Sequence, residues 1–345
     1  MYEAVIAVCL SIAPGTCRDQ LLPGYEAPDA AACQAALAAR PPELPPAGVL
    51  SGAARCAPAG ETIPFEEVAP GLFVHAGLVE EPDEYNLGDV SNIAFIVGRE
   101  SVAVVDTGAA RWIGEALWRS IRARTAKPVS HVILTHMHPD HVLGAGPFVE
   151  AGAKVVGHAD LPRALADRAG NYLESLERLI GSESFLGTAP PLISETIGGR
   201  AEIDLGGRVL DLEAWTPAHT VADLTVFDRV SGVLVAGDLM FDRHTPALDG
   251  SLVGWRRALS DLKTRDLAGI VPGHGAALLD WPEGAEGLQR YLDVLERDTR
   301  TALERGERLG KAVTAIAAAE APNWDLFEAY NMRNATVAYT ELEWE

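Results

Sequence analysis

The sequence predicts a layered α/β fold in which two β-sheets pack face to face and helices cover their outer sides. Two observations support this prediction: apolar strand-like segments open each half of the main part of the chain, and strand–helix units follow them. The chain has 345 residues, 48% of them apolar, so it can bury a sizeable core as one large domain or two moderate ones.

Residues 1–60 are predicted to form a small N-terminal module. The stretch at 4–13 is rich in β-branched residues and predicts a strand, because such side chains fit a pleated, half-buried surface. Residues 29–48 predict a short alanine-rich helix followed by a proline-rich linker.

All four cysteines, Cys9, Cys17, Cys33 and Cys56, lie in this module. No C-x-x-C spacing occurs, and no histidine precedes His75, so a zinc knuckle is disfavoured. Two disulfides are the preferred interpretation, and four unrelated buried thiols are the alternative. Disulfides would indicate an oxidising compartment, which in a bacterium is the periplasm; a cytoplasmic location is the alternative.

The main domain is predicted over residues 61–283. It opens with a hairpin at 65–77 and two apolar strands at 92–108, which a charged turn joins. An amphipathic helix at 112–125 follows, since its apolar residues recur every four positions. Further strands are predicted at 129–136, 153–160, 208–220, 223–241 and 267–275, with a helix at 255–264 before the last of them.

Two segments depart from this alternation. Residues 161–198 begin as a helix, and the rest of the segment has no regular spacing of apolar residues. This predicts either a lid over a site or a mobile surface segment. Residues 284–345 are predicted to be a mostly helical extension that packs on the main domain.

The charge of the chain excludes some classes of partner. Lys and Arg number 28 against 49 Asp and Glu, which gives a formal net charge of −21. Nucleic acids and anionic membrane surfaces attract clustered positive charge, so both are disfavoured as partners. No run of 18 apolar residues occurs, so no membrane-spanning helix is predicted. The oligomeric state is not predicted by any feature of the sequence.

A histidine cluster lies in the stretch LTHMHPDHVLGAG at 134–146. His136 and His138 are two residues apart at a strand end, so both imidazoles can point the same way. Asp140 and His141 follow in the turn that enters the next helix. Such a density of imidazole and carboxylate groups at one strand end predicts metal binding.

Three more residues of the same kind each close a separate apolar strand: His219, Asp238 and His274. Loops at one edge of a layered α/β fold converge, so we expect them to join the cluster. A nitrogen and oxygen ligand set suits zinc, and also manganese or iron(II). Seven ligands exceed the need of one tetrahedral ion and fit two ions bridged by a carboxylate. The remaining strand-end histidines, read as structural, are His75, His131 and His158.

The motifs THMHPDH, AHT, GDLMF and PGHG resemble those of the metallo-β-lactamase-fold hydrolase superfamily, over about residues 65–280. The resemblance implies a four-layer αββα sandwich with the site along one edge of the two sheets. It implies first-metal ligands His136, His138 and His219, second-metal ligands Asp140, His141 and His274, a bridging Asp238, and a supporting Asp106 behind the metal loop.

The resemblance also implies a reaction. A hydroxide bridging two zinc ions would attack an ester, thioester or amide-like carbonyl of a small molecule, while Asp140 orients the nucleophile and moves a proton. Arg243 and His244 follow Asp238 directly and could contact substrate, Arg243 through a carboxylate. The alternative interpretation is that Arg243 and His244 belong to an ordinary surface loop.

Within the superfamily, the chain looks closest to the quinoprotein-associated zinc metallohydrolases found near sulfur-oxidation genes. The cues are the cysteine-bearing module, AHTVADLTVFD, PALDGSLVGW and the terminal ELEWE. Two alternatives to a zinc hydrolase stay open. One is a persulfide dioxygenase with a single iron on His136, His219 and Asp238, and the other is a non-catalytic metal-binding protein.

Overall fold

The computed structural model describes residues 1–10, 13–42 and 49–344. The strands are β1 (Tyr2–Leu10), β2 (Ala13–Ala27), β3 (Val49–Ser51), β4 (Arg55–Pro58), β5 (Glu66–Ala69), β6 (Leu72–His75), β7 (Ile93–Val97), β8 (Val102–Val105), β9 (Val129–Ile133), β10 (Lys154–His158), β11 (Glu195–Ile197), β12 (Arg200–Asp204), β13 (Val209–Ala214), β14 (Leu224–Asp228), β15 (Val233–Phe241) and β16 (Gly269–His274). The α-helices are α1 (Ala30–Ala39), α2 (Arg111–Arg122), α3 (Pro139–Val142), α4 (Gly146–Glu150), α5 (Leu161–Ile180), α6 (Ser182–Phe185), α7 (Leu252–Leu262), α8 (Glu286–Glu304), α9 (Leu309–Ala312) and α10 (Phe327–Leu342).

Two large sheets form the centre of the fold. The first sheet has the order β11-β10-β9-β8-β7-β6-β5, and the second has the order β12-β13-β14-β15-β16. In the first sheet β8, β9 and β10 run parallel, with Val104 opposite Val132. In the second sheet only β15 and β16 pair in parallel. The predicted cluster residues lie toward the carboxyl ends of these parallel strands: His136 follows β9, Asp238 lies in the second half of β15, and His274 ends β16.

The two sheets pack face to face through fully buried aliphatic side chains. Val105 and Ile133 of the first sheet meet Leu212, Val226 and Val235 of the second in one apolar cluster. Burying each such side chain is worth about 1.5–3 kcal/mol. This cluster therefore holds the two sheets together and fixes the edge along which their loops meet.

Helices cover the outer side of each sheet. On the first sheet, α2 buries Ile113, Leu117 and Ile121, as their four-residue spacing predicts. On the second sheet, α7, α8 and α10 bury a separate apolar cluster that contains Leu259 and Leu292. The four-layer αββα sandwich is confirmed.

The N-terminal module is a small sheet in which β1 pairs with β2, β3 and β4. Disulfides join Cys9 to Cys17 and Cys33 to Cys56, and no free cysteine is left in the chain. The predicted disulfides are therefore confirmed. The predicted strand and alanine-rich helix correspond to β1 and α1, but most of the proline-rich linker lies outside the described residues.

The module is docked on α2 by buried ion pairs. Arg18 pairs with Glu115, which also accepts from Arg111, and Arg119 pairs with Glu3. The boundary at residue 60 stays a prediction, but the module shares a buried polar interface with the main domain.

The segment 161–198 is built into the sandwich at both ends. Its helix α5 buries Leu161, Leu165 and Leu176 in the cluster under the first sheet. Its last residues form β11, which extends the first sheet beyond β10. No helix among the described residues is both long and apolar enough to cross a membrane.

Candidate metal centre

The fold brings together all seven residues that the sequence singled out as metal ligands. They lie in two adjacent groups in which the potential ligand atoms are within 4.8 Å of one another. The first group is His136, His138, His219 and Asp238, and the second group is Asp140, His141 and His274.

Asp238 lies between the two groups. Its Oδ2 is 3.3 Å from His219 Nε2 and 3.7 Å from His136 Nε2. Its Oδ1 is 3.2 Å from His141 Nε2 and 3.5 Å from His274 Nε2. One carboxylate thus presents one oxygen to each group, an arrangement that can bridge two cations.

Two atoms at the centre lack the partners that buried polar atoms normally have. His136 Nε2 and Asp238 Oδ1 are buried, and neither makes a hydrogen bond of good geometry within the described chain. A buried unsatisfied polar atom costs about 1–3 kcal/mol. A bound cation would accept electron density from both atoms, so the donor set fits metal ions.

The electrostatics favour unprotonated ligands on the first group. Burial lowers the pKa of His219 to about 3 and also lowers the pKa of His136 well below its ordinary value. Although burial alone would raise it, the neighbouring His274 and His141 hold the pKa of Asp238 well below the usual range. Neutral imidazoles and an ionised carboxylate are the forms that bind metal.

Asp106 supports the loop that follows β9. Its carboxylate accepts from Thr135 N at 2.8 Å and from Thr135 Oγ1 at 2.7 Å, and it lies 2.8 Å from His141 Nδ1. Its backbone has a φ of 59°, a strained conformation for a side-chain-bearing residue. Because Nδ1 of His141 is occupied, its Nε2 is left to face the cluster.

Three further contacts orient ligands, and the sequence analysis did not predict them. His274 Nδ1 donates to Val90 O at 2.8 Å, and His219 Nδ1 donates to Ala247 O at 2.5 Å. His138 Nε2 lies 3.2 Å from Asp249 Oδ2. Carbonyl acceptors leave no signal in a sequence, whereas Asp249 stands in the PALDG stretch, which could have been searched for a carboxylate near the cluster.

The segment before β7 braces the other side of the centre. Asn92 is buried, and its Nδ2 donates to Pro272 O at 2.9 Å and to Ala276 O at 3.1 Å. Ser91 Oγ donates to the backbone O of Asp140 at 2.5 Å. These bonds tie the turn around His274 and the loop of Asp140 to one segment.

Aromatic side chains stand beside the second group. The ring centroid of His244 is 4.7 Å from that of His274 and also 4.7 Å from that of Tyr330, which belongs to α10. On α5, the hydroxyl of Tyr172 is buried beside Arg168, within electrostatic reach of Asp249 and Asp140, and makes no hydrogen bond of good geometry within the described residues. Two helices distant in sequence therefore contribute walls near the cluster.

The other predicted residues have different surroundings. The side chain of Arg243 is 67% exposed and forms an ion pair with Asp325 at 2.8 Å. His75 is bonded to Pro64 O and Asp89, and His158 Nδ1 accepts from Asp160 N. His131 Nδ1 lies 2.9 Å from Ser130 Oγ.

Comparisons with known proteins agree with this architecture. The family model described as the metallo-beta-lactamase superfamily matches residues 87–274. A metallo-beta-lactamase family protein from Thermus thermophilus has a similar structure, with a TM-score of 0.58, 20% identity and coverage of 80% of this chain and 93% of that chain. A double mutant of the sec-alkyl sulfatase PisA1 gives a TM-score of 0.61 at 15% identity, over 81% of this chain and 50% of that chain.

A metallo-beta-lactamase from Pontibacter korlensis gives a TM-score of 0.54 at 19% identity, over 67% of this chain and 99% of that chain. At these identities the structural neighbours establish the fold alone. No curated protein matches the chain by sequence. The family model spans more than half of the chain and ends at His274, so it contains every residue of the two ligand groups. The chain therefore belongs to the metallo-beta-lactamase superfamily and is a metal-dependent hydrolase.

Proposed function

We propose that the protein is a binuclear zinc hydrolase that cleaves an ester, thioester or amide-like bond of a small molecule. The observation that carries the proposal is the position of Asp238, with one carboxylate oxygen toward each ligand group. His136, His138 and His219 would hold one ion, Asp140, His141 and His274 would hold the other, and Asp238 would bridge them.

Zinc bound at such a site lowers the pKa of bound water to about 7 and polarises a carbonyl. The chain supplies the groups around that chemistry. Asp140 Oδ2 lies 3.4 Å from both His141 Nε2 and His274 Nε2, and its side chain is 17% exposed. Asp140 therefore faces the cluster and also reaches solvent, which suits it to orient a water molecule and to accept its proton.

Substrate would lie between the walls formed by α5 and α10. Tyr172 and Tyr330 would contact it from the two sides, and His244 would pack against it beside the second group. Arg243 would bind a substrate carboxylate only by exchanging its partner Asp325. The α5 segment would act as a fixed wall, because its leucines are part of the core.

The disulfides support a location outside the reducing cytoplasm, and we propose the periplasm. The relationship to the quinoprotein-associated branch is kept as part of this proposal, since it rests on the sequence motifs. A single iron on His136, His219 and Asp238 is disfavoured, because it would leave His138 and the whole second group without a role.

Metal analysis of protein purified without added metal tests the proposal together with turnover. We expect about two zinc ions per chain and hydrolysis of some members of a panel of small esters, thioesters and lactams. About one iron per chain with oxygen uptake on a persulfide would overturn the proposal. Bound zinc without turnover of any carbonyl substrate would favour a non-catalytic role.

A further inference from the structure

A chain of three side chains runs from α5 to the first ligand group. Arg168 Nη1 donates to Asp249 Oδ2 at 2.5 Å, and Arg168 Nη2 donates to Asp249 Oδ1 at 3.0 Å. The same Asp249 Oδ2 lies 3.2 Å from His138 Nε2. The guanidinium of Arg168 thus binds both carboxylate oxygens of Asp249, which contacts the proposed metal ligand His138.

The contact decides which nitrogen of His138 faces the cluster. His138 Nδ1 lies 3.1 Å from His219 Nε2, inside the first group. A carboxylate can only accept, so His138 Nε2 carries the proton when it bonds to Asp249. The unprotonated Nδ1 is then left as the atom that can bind metal, which is the general role of an outer partner on a metal-binding histidine.

Asp249 alone would be a loose partner, because its side chain is 29% exposed. Arg168 fixes it with two hydrogen bonds, one to each carboxylate oxygen, and such a bidentate pair adds orientation as well as energy. The side chain of Arg168 is itself 43% exposed, so the ion pair is screened by solvent and contributes little to the stability of the fold. We therefore expect the Arg168–Asp249 ion pair to act mainly on the orientation of His138.

We infer that Arg168 and Asp249 are positioning residues for the metal ion held by His136, His138 and His219. The inference rests on the proposed metal centre and deepens it: α5 is part of the metal-binding architecture as well as a wall of the pocket. Arg168 acts through Asp249, and Asp249 acts through the tautomer and ring orientation of His138.

The variants Arg168→Ala, Asp249→Ala and the double variant test this inference, with Arg163→Ala as the matched control. Arg163 is on the same helix, and its side chain is 90% exposed in an ion pair with Asp167. The affinities of the full-length protein for its tighter and weaker zinc ions are measured by competition with a chromophoric chelator. The visible spectrum of the cobalt-substituted protein reports the ligand geometry of each site.

We expect Asp249→Ala to weaken one of the two zinc affinities by about 10–100-fold, the range typical of lost outer-shell partners. Arg168→Ala should weaken the same affinity by less and shift the same cobalt bands. Arg168→Lys should recover part of the loss, because it restores the charge but not the fork. Adding Arg168→Ala to Asp249→Ala should weaken the zinc affinity no further, since Arg168 acts on His138 through Asp249.

Unchanged zinc affinities in both single variants would overturn the inference while leaving the proposed function intact. Equal weakening of both ions, with a lower midpoint for urea unfolding of the metal-free variants, would also overturn it, because it indicates a general structural role. Failure of the parent protein to bind zinc at all would overturn the proposed function itself, and the inference with it.

Discussion

Asp238 and His141 approach each other at 3.2 Å, through the carboxylate oxygen that does not face His219. Asp238 thus presents one carboxylate oxygen to each ligand group. Asp249, by contrast, contacts a ligand of the first group only, and the Val90 carbonyl contacts a ligand of the second group only. The bridging carboxylate is therefore the position at which one substitution should disturb both proposed ions.

We expect Asp238→Ala to lower bound zinc from about two ions to one or fewer and to abolish hydrolysis, while the chain stays folded. The loss of zinc affinity should exceed the about 10–100-fold loss that follows removal of an outer-shell partner, because Asp238 would be a ligand of both ions. Metal analysis and circular dichroism on the same sample provide the measurement. Asp261→Ala, at an exposed carboxylate of α7, is the control. Unchanged zinc content would contradict the bridging role.

Asp223 gives a pH dependence to the stability of the metal-free protein. Burial raises the pKa of this carboxyl to about 6 from an ordinary value of 3.8, although Thr220 donates to it. The folded state thus binds the proton more tightly than the unfolded state. The stabilisation that the protonated Asp223 contributes to the folded state is fully present below pH 3.8 and is lost as the pH rises through about 6.

The free energies of unfolding of the wild-type and Asp223→Asn proteins should therefore depend differently on pH. The amide cannot ionise, so the free energy of unfolding of the variant, measured with urea, should improve relative to wild type between about pH 4 and 7.5. The rise in the pKa of Asp223 from 3.8 to about 6 corresponds to a change of about 3 kcal/mol at most in the free energy of unfolding. A difference between the two proteins that stays constant over that range would show that Asp223 does not titrate as described.

The two disulfides should contribute unequally to stability. Cys9 and Cys17 are 8 residues apart in sequence, whereas Cys33 and Cys56 are 23 apart. By loop-closure entropy the shorter link is worth about 2.5 kcal/mol and the longer about 3.4 kcal/mol. Urea unfolding of the Cys9→Ala/Cys17→Ala and Cys33→Ala/Cys56→Ala proteins measures each. Four free thiols in denatured, unreduced protein made under oxidising conditions would refute both links.

Tyr172 should affect selectivity without supporting the fold. Its hydroxyl is buried beside Arg168 and makes no hydrogen bond of good geometry within the described part of the chain, so Tyr172→Phe should change the free energy of unfolding by no more than about 1 kcal/mol. If the hydroxyl meets substrate, KM should rise for esters, thioesters or lactams to different extents. Tyr85→Phe, at a tyrosine that is 86% exposed, is the matched control. An unchanged ranking of the panel would show that Tyr172 does not contact substrate.

The order of strands and helices predicts two packed sheets with helices outside, because that order depends on local patterns. The structure also brings the seven predicted ligand residues close together. Strand periodicity places His136 and His138 on one side of a strand end, and the carboxyl ends of parallel strands share an edge. The roles of the individual ligands remain predictions. Asp106 was identified through its motif, and its contacts with Thr135 and His141 are consistent with that prediction.

The unpredicted features depend on packing between distant segments. Tyr330 lies beside His244 only because α10 folds back on the second sheet. Asp249 reaches His138 across a long stretch of chain, and Arg168 reaches Asp249 from a helix on the other half of the sandwich. The sequence predicts that residues 161–198 begin as a helix, but it does not predict that the leucines of this helix join the core. None of these relationships leaves a spacing that sequence analysis can detect.

The pairing of the cysteines has a consequence for how the protein acquires its metal. Cys9, Cys17, Cys33 and Cys56 all precede His136, and each disulfide closes within the N-terminal module. In an oxidising compartment the four thiols can therefore pair without any residue of the metal cluster. Thiolates bind zinc strongly, and a partly folded chain with four of them would divert the ion. With all four thiols paired, the imidazoles and carboxylates of the two ligand groups have no thiolate competitor for a metal ion.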